Sequence, residues 1–192
     1  MRKIVYKHTL GFLLLFVLGT LFSQNKYDAK ATPTQISLEG KTLKGYKTNF
    51  DFNWENVRRG WWKYAREFGT PLNMKTYYKV TIPSSTTDGN VDLEIFTQTT
   101  EVKGGSEFFL GLENEKYKAQ AMALILDFKK KYYIDVLVAT IDLNLKKANE
   151  LGDRYKAATS EKEQQELLKE ITELEKENDQ LKEWIKGIER EN

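Results

Sequence analysis

The stretch YKTNFDFNWENVRRGWWKYAREFG, residues 46–69, contains a change of hydrophobic period that decides the fold class. Its first seven residues alternate larger, mostly apolar side chains with polar ones, which is the period of a half-buried strand. After Asn53, a suitable helix N-cap, apolar side chains recur three and four residues apart. They are Trp54, Val57, Trp61, Tyr64, Ala65 and Phe68. We therefore predict a strand followed by an amphipathic helix that ends at Gly69.

Three further strands are predicted after this helix, because each segment alternates apolar and polar side chains. They span 76–82, 91–98 and 107–112. Glycine-containing turns at 88–90 and 103–106 separate them. The order β-α-β-β-β predicts an α+β fold with a four-stranded, mainly antiparallel sheet and one packed helix, over residues 45–112. The order of the strands within the sheet stays open.

The first 23 residues have the three parts of a secretory signal peptide: a basic segment, an apolar run and a small residue for cleavage. The basic segment has Arg2, Lys3 and Lys7, the apolar run spans 9–22, and Ser23 follows it. A membrane-spanning helix needs roughly 20 apolar residues, so we predict cleavage rather than a retained anchor. The mature chain is then expected to be soluble, in the periplasm, outside the cell or associated with the envelope.

Residues 24–44 are polar and include only Ile36 and Leu38 in alternation. We expect a flexible leader that can end in a short edge strand.

Residues 113–192 predict a long α-helical hairpin, an antiparallel coiled coil, because each half has one stripe of residues that repeats every seven positions. We call each stripe a seam. The first seam is predicted at Ile134, Val138, Ile141, Leu145, Ala148, Gly152 and Tyr155. The second is predicted at Leu167, Ile171, Leu174, Asn178, Leu181, Ile185 and Ile188. Folding the hairpin about residue 161 brings Asn178 opposite the region of Asn144. Such a polar seam residue either fixes the register of the hairpin or specifies an oligomer.

The composition excludes several classes of chemistry. The chain has no cysteine, and its one histidine, His8, lies in the predicted signal, so Ser-His-Asp and thiol catalysis and Cys/His zinc sites are excluded. From residue 24 onward there are 27 basic and 28 acidic residues, and this net charge of −1 argues against nucleic acid as a partner. The pattern Asp88-x-Asn90-x-Asp92 lacks the glycine and the glutamate of a calcium loop. No metal and no cofactor is predicted.

The predicted helix has one surface with chemical character, away from its apolar stripe. We call it the predicted binding face, and it consists of Arg58, Arg59, Trp62, Lys63 and Arg66. Guanidinium and indole groups together can hold an acidic glycan, a lipid headgroup or a carboxylate-bearing protein. The simpler interpretation, which we favour, is a cation–π ladder within the helix that covers a half-buried Trp62, with Glu55 paired to Arg59.

Two further function classes stay open on weaker grounds. A carboxylate-based hydrolase needs two converging acids, but the acids of the small domain, such as Asp92 and Glu94, have no converging spacing. A lipid or small-molecule carrier would use the aromatic residues to line a cavity. Phe108 and Phe109 point to opposite sheet faces, and we expect the base of the hairpin to cover the second face; an exposed patch there would indicate a partner site.

The signal ending LFSQ, the segment FNWENVRRGWWKYAREFGTPLNMKTYYKVTIP (52–83) and the charged hairpin together resemble uncharacterised exported proteins of Bacteroidota-type bacteria. Those proteins pair a small α+β domain with a C-terminal coiled-coil hairpin. The resemblance implies an envelope location and no activity, ligand or catalytic residue. We therefore predict a non-enzymatic exported envelope protein, a binding or scaffolding module. Its partner would be a protein, an envelope polymer, or a second copy bound through the coiled coil.

Overall fold

The computed structural model describes residues 27–84 and 91–191 of an α+β protein. One six-stranded antiparallel sheet contains β1 (Thr32–Leu38), β2 (Lys41–Phe50), β3 (Thr70–Asn73), β4 (Tyr78–Ile82), β5 (Leu93–Val102) and β6 (Gly105–Leu112). The helices are α1 (Trp54–Ala65), α2 (Lys118–Ala157) and α3 (Glu161–Arg190), with a short 3-10 turn at Glu115–Tyr117 before α2. The predicted signal and the whole of the turn at 88–90 lie outside the described residues.

The described chain divides into two compact units. The sheet unit comprises residues 29–136 and 189–191, and the helical unit comprises residues 137–188. Helix α2 therefore begins in the sheet unit and ends in the helical unit.

The sheet has six strands where the sequence predicted four, although the general α+β class is correct. Its order is β1-β2-β6-β5-β4-β3, so the two additional strands are its edges. Each edge strand contains a proline, Pro33 in β1 and Pro71 in β3, which is tolerated because an edge strand pairs on one side only. The proline and the shortness of β3 hide its period. The expected edge strand around Ile36 is present, but residues 32–44 belong to β1 and β2 and are not a flexible leader.

Helices α1 and α2 bury one face of the sheet under an aromatic core. Trp61 of α1 is fully buried, and its ring centre lies 5.1 Å from those of both Phe108 on β6 and Phe128 on α2. The ring centre of Phe50, at the end of β2, lies 5.5 Å from that of Phe128. The prediction that Trp61 and Tyr64 are core residues is confirmed.

The opposite face of the sheet has its own small cluster, in which Leu43, Tyr77, Phe96 and Phe109 are buried. We expected the base of the hairpin to cover this face, and that expectation is wrong. Ile36 and Leu38 from one edge, and Met74 from beside the other, pack on this cluster. Within the sheet, Gly45 permits a close approach of β2 to β6, since a Cβ at this position would lie 2.0 Å from the Leu110 carbonyl oxygen.

The helical unit consists of two long helices packed together. Five of the seven residues predicted for the seam of α3 are buried: Leu167, Leu174, Asn178, Leu181 and Ile188. The Asn144 amide nitrogen donates to the Asn178 side-chain oxygen at 3.0 Å, which confirms that the two residues face each other.

The predicted seam of α2 is wrong at alternate positions. Val138 and Leu145 are 43% and 52% exposed, whereas their neighbours Leu137 and Asn144 are buried. Leu151 is likewise buried in place of Gly152. Both candidate stripes share Ile141, Ala148 and Tyr155, and they differ by one residue at positions 138, 145 and 152. The polar Asn144 made the true stripe look less apolar than its neighbour.

Candidate binding surface

The structure divides the predicted binding face into two groups with different roles. Arg58 and Trp62 are partly buried and contact the strands beside α1. Arg59, Lys63 and Arg66 are exposed on the outward side of α1. We call these three residues the cationic face.

Arg58 of α1 donates hydrogen bonds to the turn between β3 and β4. Its Nη2 donates to the Asn73 side-chain oxygen at 3.0 Å and to the Lys75 carbonyl oxygen at 2.5 Å. Lys75 has a φ of 71°, a left-handed conformation that is uncommon for lysine. Its backbone amide also donates to Asn73 at 2.9 Å. The guanidinium is therefore engaged in holding a strained turn.

Tyr78, rather than Trp62, is the centre of the cation–π arrangement. The Arg58 guanidinium carbon lies 4.8 Å from the centre of the Tyr78 ring. The Trp62 and Tyr78 ring centres are 5.1 Å apart. The favoured interpretation, a ladder within one helix, is thus replaced by a stack that joins α1 to β4. The sequence showed both arginine and tryptophan but not their common partner, which lies sixteen residues beyond Trp62.

The cationic face has few partners among the described residues. Arg59 donates to the Asn56 side-chain oxygen at 2.6 Å, rather than to the expected Glu55. For Lys63 and Arg66, the described residues provide no hydrogen bond or ion pair. Positions 59, 63 and 66 are spaced by four and three residues, so they share one side of the helix. Three cations therefore lie along about 10 Å of helix with their charges available to a ligand.

The acids considered for hydrolysis have structural partners. Asp92 accepts a hydrogen bond from the Ser84 amide at 2.9 Å, and Glu94 pairs with Lys79 at 2.6 Å. Glu94 shares a sheet face with Phe96, and ion pairs make part of that face polar. Within residues 27–84 and 91–191, no cluster of three acidic or histidine side chains could hold a metal ion. Asp88 and Asn90 of the calcium-like pattern lie outside the described residues.

The Glu115 carboxylate bridges Lys44 of β2 and Lys118 at the start of α2, an arrangement that the sequence did not predict. Lys44 and Lys118 each lie 2.5 Å from a different oxygen of Glu115. Hydrogen bonds and charge from Lys118 and Lys44 lower the pKa of Glu115 to about 2. A groove of about 420 Å³ lies beside them, against Tyr46. Glu115 pairs with both lysines and balances one of their two positive charges, so one net positive charge remains beside the groove.

Two tyrosines, Tyr64, which is buried, and Tyr132, which is half-buried, have raised pKa values where the helices meet the core. Burial, and then a hydrogen bond donated to Asp127, raises the pKa of Tyr64. Burial raises the pKa of Tyr132 to about 12, against a smaller opposing effect of Arg59. The Tyr132 ring lies against Gly60 of α1, where an added Cβ would approach it to 2.4 Å. These contacts stabilise the packing of α1 on α2 and leave the outward side of α1 uncovered by them.

The aromatic residues considered for a carrier cavity pack against one another. The ring centre of Phe50 lies 5.5 Å from that of Tyr132 and 6.0 Å from that of Tyr133. The ring centres of Phe96 and Tyr77 are 6.2 Å apart. A second surface depression, of about 570 Å³, runs along α3 beside Trp184 and is lined by charged and polar residues of that helix. Neither the packed aromatic cluster nor the depression along α3 resembles an apolar ligand site.

No protein-family model, curated protein or solved structure matches this chain. Within the part of the chain that the structure describes, none of the helices combines the length and apolar character needed to cross a membrane.

Proposed function

We propose that this protein is an exported, non-enzymatic binding module that recognises an acidic protein surface through the cationic face of α1. The observation that supports this proposal most is that Arg59, Lys63 and Arg66 lie on one exposed side of α1, while the other side of this helix is buried in the core. Export is supported by the three-part segment at residues 1–23 and by the resemblance to exported envelope proteins.

The cationic face is pre-organised by the residues beneath it. Trp61 anchors the inward side of α1 in the aromatic core, and Arg58 ties the same helix to the β3–β4 turn. Rigid elements position binding groups with less loss of conformational entropy on association than mobile loops do. The helix therefore offers its cations at a fixed spacing to a partner.

A protein partner fits this spacing better than a nucleic acid does. Nucleic-acid-binding domains usually have a strongly basic balance, whereas the chain from residue 24 has a net charge of −1. Three cations at helical spacing match carboxylates at helical spacing on another protein. In this proposal the packed helices form the antiparallel coiled coil expected from the seams and act as a spacer or docking arm.

The binding proposal is tested by retention of the mature chain on immobilised poly-L-glutamate at low salt. We expect Lys63→Glu combined with Arg66→Glu to abolish retention without lowering the melting temperature by more than a few degrees. The matched control is Lys103→Glu, an exposed charge reversal in the β5–β6 turn, which should preserve retention. Equal retention of all three proteins would contradict the proposal.

Export is tested separately by cell fractionation with N-terminal sequencing. A mature protein that begins near residue 24 and leaves the cytoplasm is expected. A chain that keeps its N-terminus in the cytoplasmic fraction would overturn this part of the proposal.

A further inference from the structure

Helix α3 has an acidic strip that complements the cationic face. The strip consists of Glu163, Glu166, Glu170, Glu173 and Glu177, spaced alternately by three and four residues. This spacing places them along one side of the helix, beside the seam. They are exposed or half-buried, and the ion pairs described within the helical unit use other acids: Asp153, Asp179 and Glu183.

The two surfaces have the same spacing. Arg59, Lys63 and Arg66 are separated by four and then three residues, as are Glu166, Glu170 and Glu173. Each set spans seven residues, or about 10.5 Å of helix. The overlapping set that begins at Glu163 has the reverse order, three and then four. Three charge pairs can therefore form whichever way the two helices run.

The charges of the two units are opposite as well. Residues 29–136 contain 16 basic and 13 acidic side chains, a net charge of +3. Residues 137–188 contain 9 basic and 12 acidic side chains, a net charge of −3. Complementary potentials of this kind steer association and select the register of a complex.

From this complementarity we infer that the partner of the cationic face is the acidic strip on α3 of a second copy of this chain. The inference rests on the proposed function, since it names the acidic protein surface that the face would recognise. Each copy has one cationic face and one acidic strip, so two contacts per copy are available. They form either reciprocally in a two-fold dimer or head-to-tail in a ring or an open chain.

The test is sedimentation velocity of the mature chain over a range of protein concentrations, at about 20 mM and about 500 mM NaCl, where exposed charges are weakly and strongly screened. We expect the weight-average mass to rise above that of the monomer with concentration at low salt and to return to the monomer at high salt. Two variants with reversed charges, called the reversed proteins, are compared with the wild type. One carries Lys63→Glu and Arg66→Glu, and the other carries Glu166→Lys and Glu170→Lys.

Each reversed protein alone should associate at least about tenfold more weakly, because reversal places like charges in the contact. An equimolar mixture of the two should recover association, since each altered surface then finds an opposite charge on the other protein. The control Lys103→Glu should behave as the wild type does.

The outcomes separate the inference from the proposed function. A wild-type monomer at every concentration, together with loss of polyglutamate retention in the α1 variant, would overturn the inference and leave the proposed function standing. Association that resists salt and both reversals would also overturn it and would indicate an apolar contact, for example through exposed Val138 and Leu145. Unchanged polyglutamate retention in the α1 variant would contradict the proposed function as well.

Discussion

The sheet unit and the helical unit bury apolar residues in different ways. In the sheet unit, aromatic side chains from β2, α1, β6 and α2 converge on one cluster around Trp61 and Phe128. In the helical unit, buried aliphatic residues such as Leu167 and Leu174 lie in a row along two helices. A residue in the first core is enclosed on all sides, whereas a residue in the second is enclosed by one neighbouring helix and lies near water on both flanks.

This difference predicts where substitutions act. Loss of a central aromatic residue should leave a cavity that the surrounding elements cannot close. Loss of a seam residue should loosen the helices near that position. The outward side of α1 belongs to neither core, and the proposals for binding depend on that independence.

The largest effect is expected from Trp61→Ala. The fully buried indole contacts Phe108 and Phe128, so its removal should lower the free energy of unfolding by about 3–5 kcal/mol. Urea unfolding followed by tryptophan fluorescence and circular dichroism measures it. Trp62→Ala is the control, and it should cost about 1 kcal/mol because that ring is half-buried against Tyr78. Equal losses would erase the distinction between the two sides of α1.

Leu174→Asp should reduce the stability of the helical unit by about 3–4 kcal/mol, since it removes a buried side chain and introduces a carboxylate into the seam. Helical circular dichroism at rising temperature measures the loss. Leu168→Asp makes the same change at a residue that is 52% exposed, and it should leave melting nearly unchanged. If both variants melt alike, the assignment of the seam is wrong.

Gly60→Ala should destabilise the sheet unit by about 1–3 kcal/mol, because the new methyl group would meet the Tyr132 ring. The usual effect in a helix is the opposite, a gain of up to about 1 kcal/mol. Gly152→Ala, where nothing lies within 4 Å of the added carbon, should show that usual gain in α2. Chemical denaturation of the two variants therefore gives opposite signs, and a gain at position 60 would contradict the described α1–α2 contact.

The smallest effect is a loss of stability in alkaline solution. The pKa of Tyr132 is about 12 in the folded protein, above its ordinary value of 10. Between these values the folded state keeps a proton that the unfolded state releases, so this contribution is full below pH 10 and is lost as the pH rises through 12. Urea unfolding at pH 9 and pH 11 measures the change. Tyr132→Phe should lose less stability over this interval, and an equal loss would exclude Tyr132 as a cause.

Local patterns in the sequence were sufficient to predict several elements. The N-cap of α1 is correct, since the Asn53 side chain accepts a hydrogen bond from the Glu55 amide at 2.8 Å. The seam of α3 and the pairing of Asn144 with Asn178 followed from one seven-residue repeat. Where a single period dominates and one face is buried, the sequence indicates the structure directly.

The remaining features depend on distant contacts that no local pattern shows. Strand β3 has four residues and a proline, too few positions to show a period, and as an edge strand it pairs with β4 alone. The role of Arg58 depends on Asn73 and Lys75, which follow it by 15 and 17 residues. The sequence therefore grouped these five residues together but did not separate the partly buried pair, Arg58 and Trp62, from the three exposed cations.

The most direct test of the central claim, that the cationic face is the recognition surface, is a nuclear magnetic resonance titration of the mature chain with a short oligoglutamate. We predict saturable shifts of the backbone amide signals of Arg59, Lys63, Arg66 and their immediate neighbours, with the signal of Lys103 unchanged. No change along α1 at saturating oligoglutamate, or equal changes at lysines over the whole surface, would contradict it.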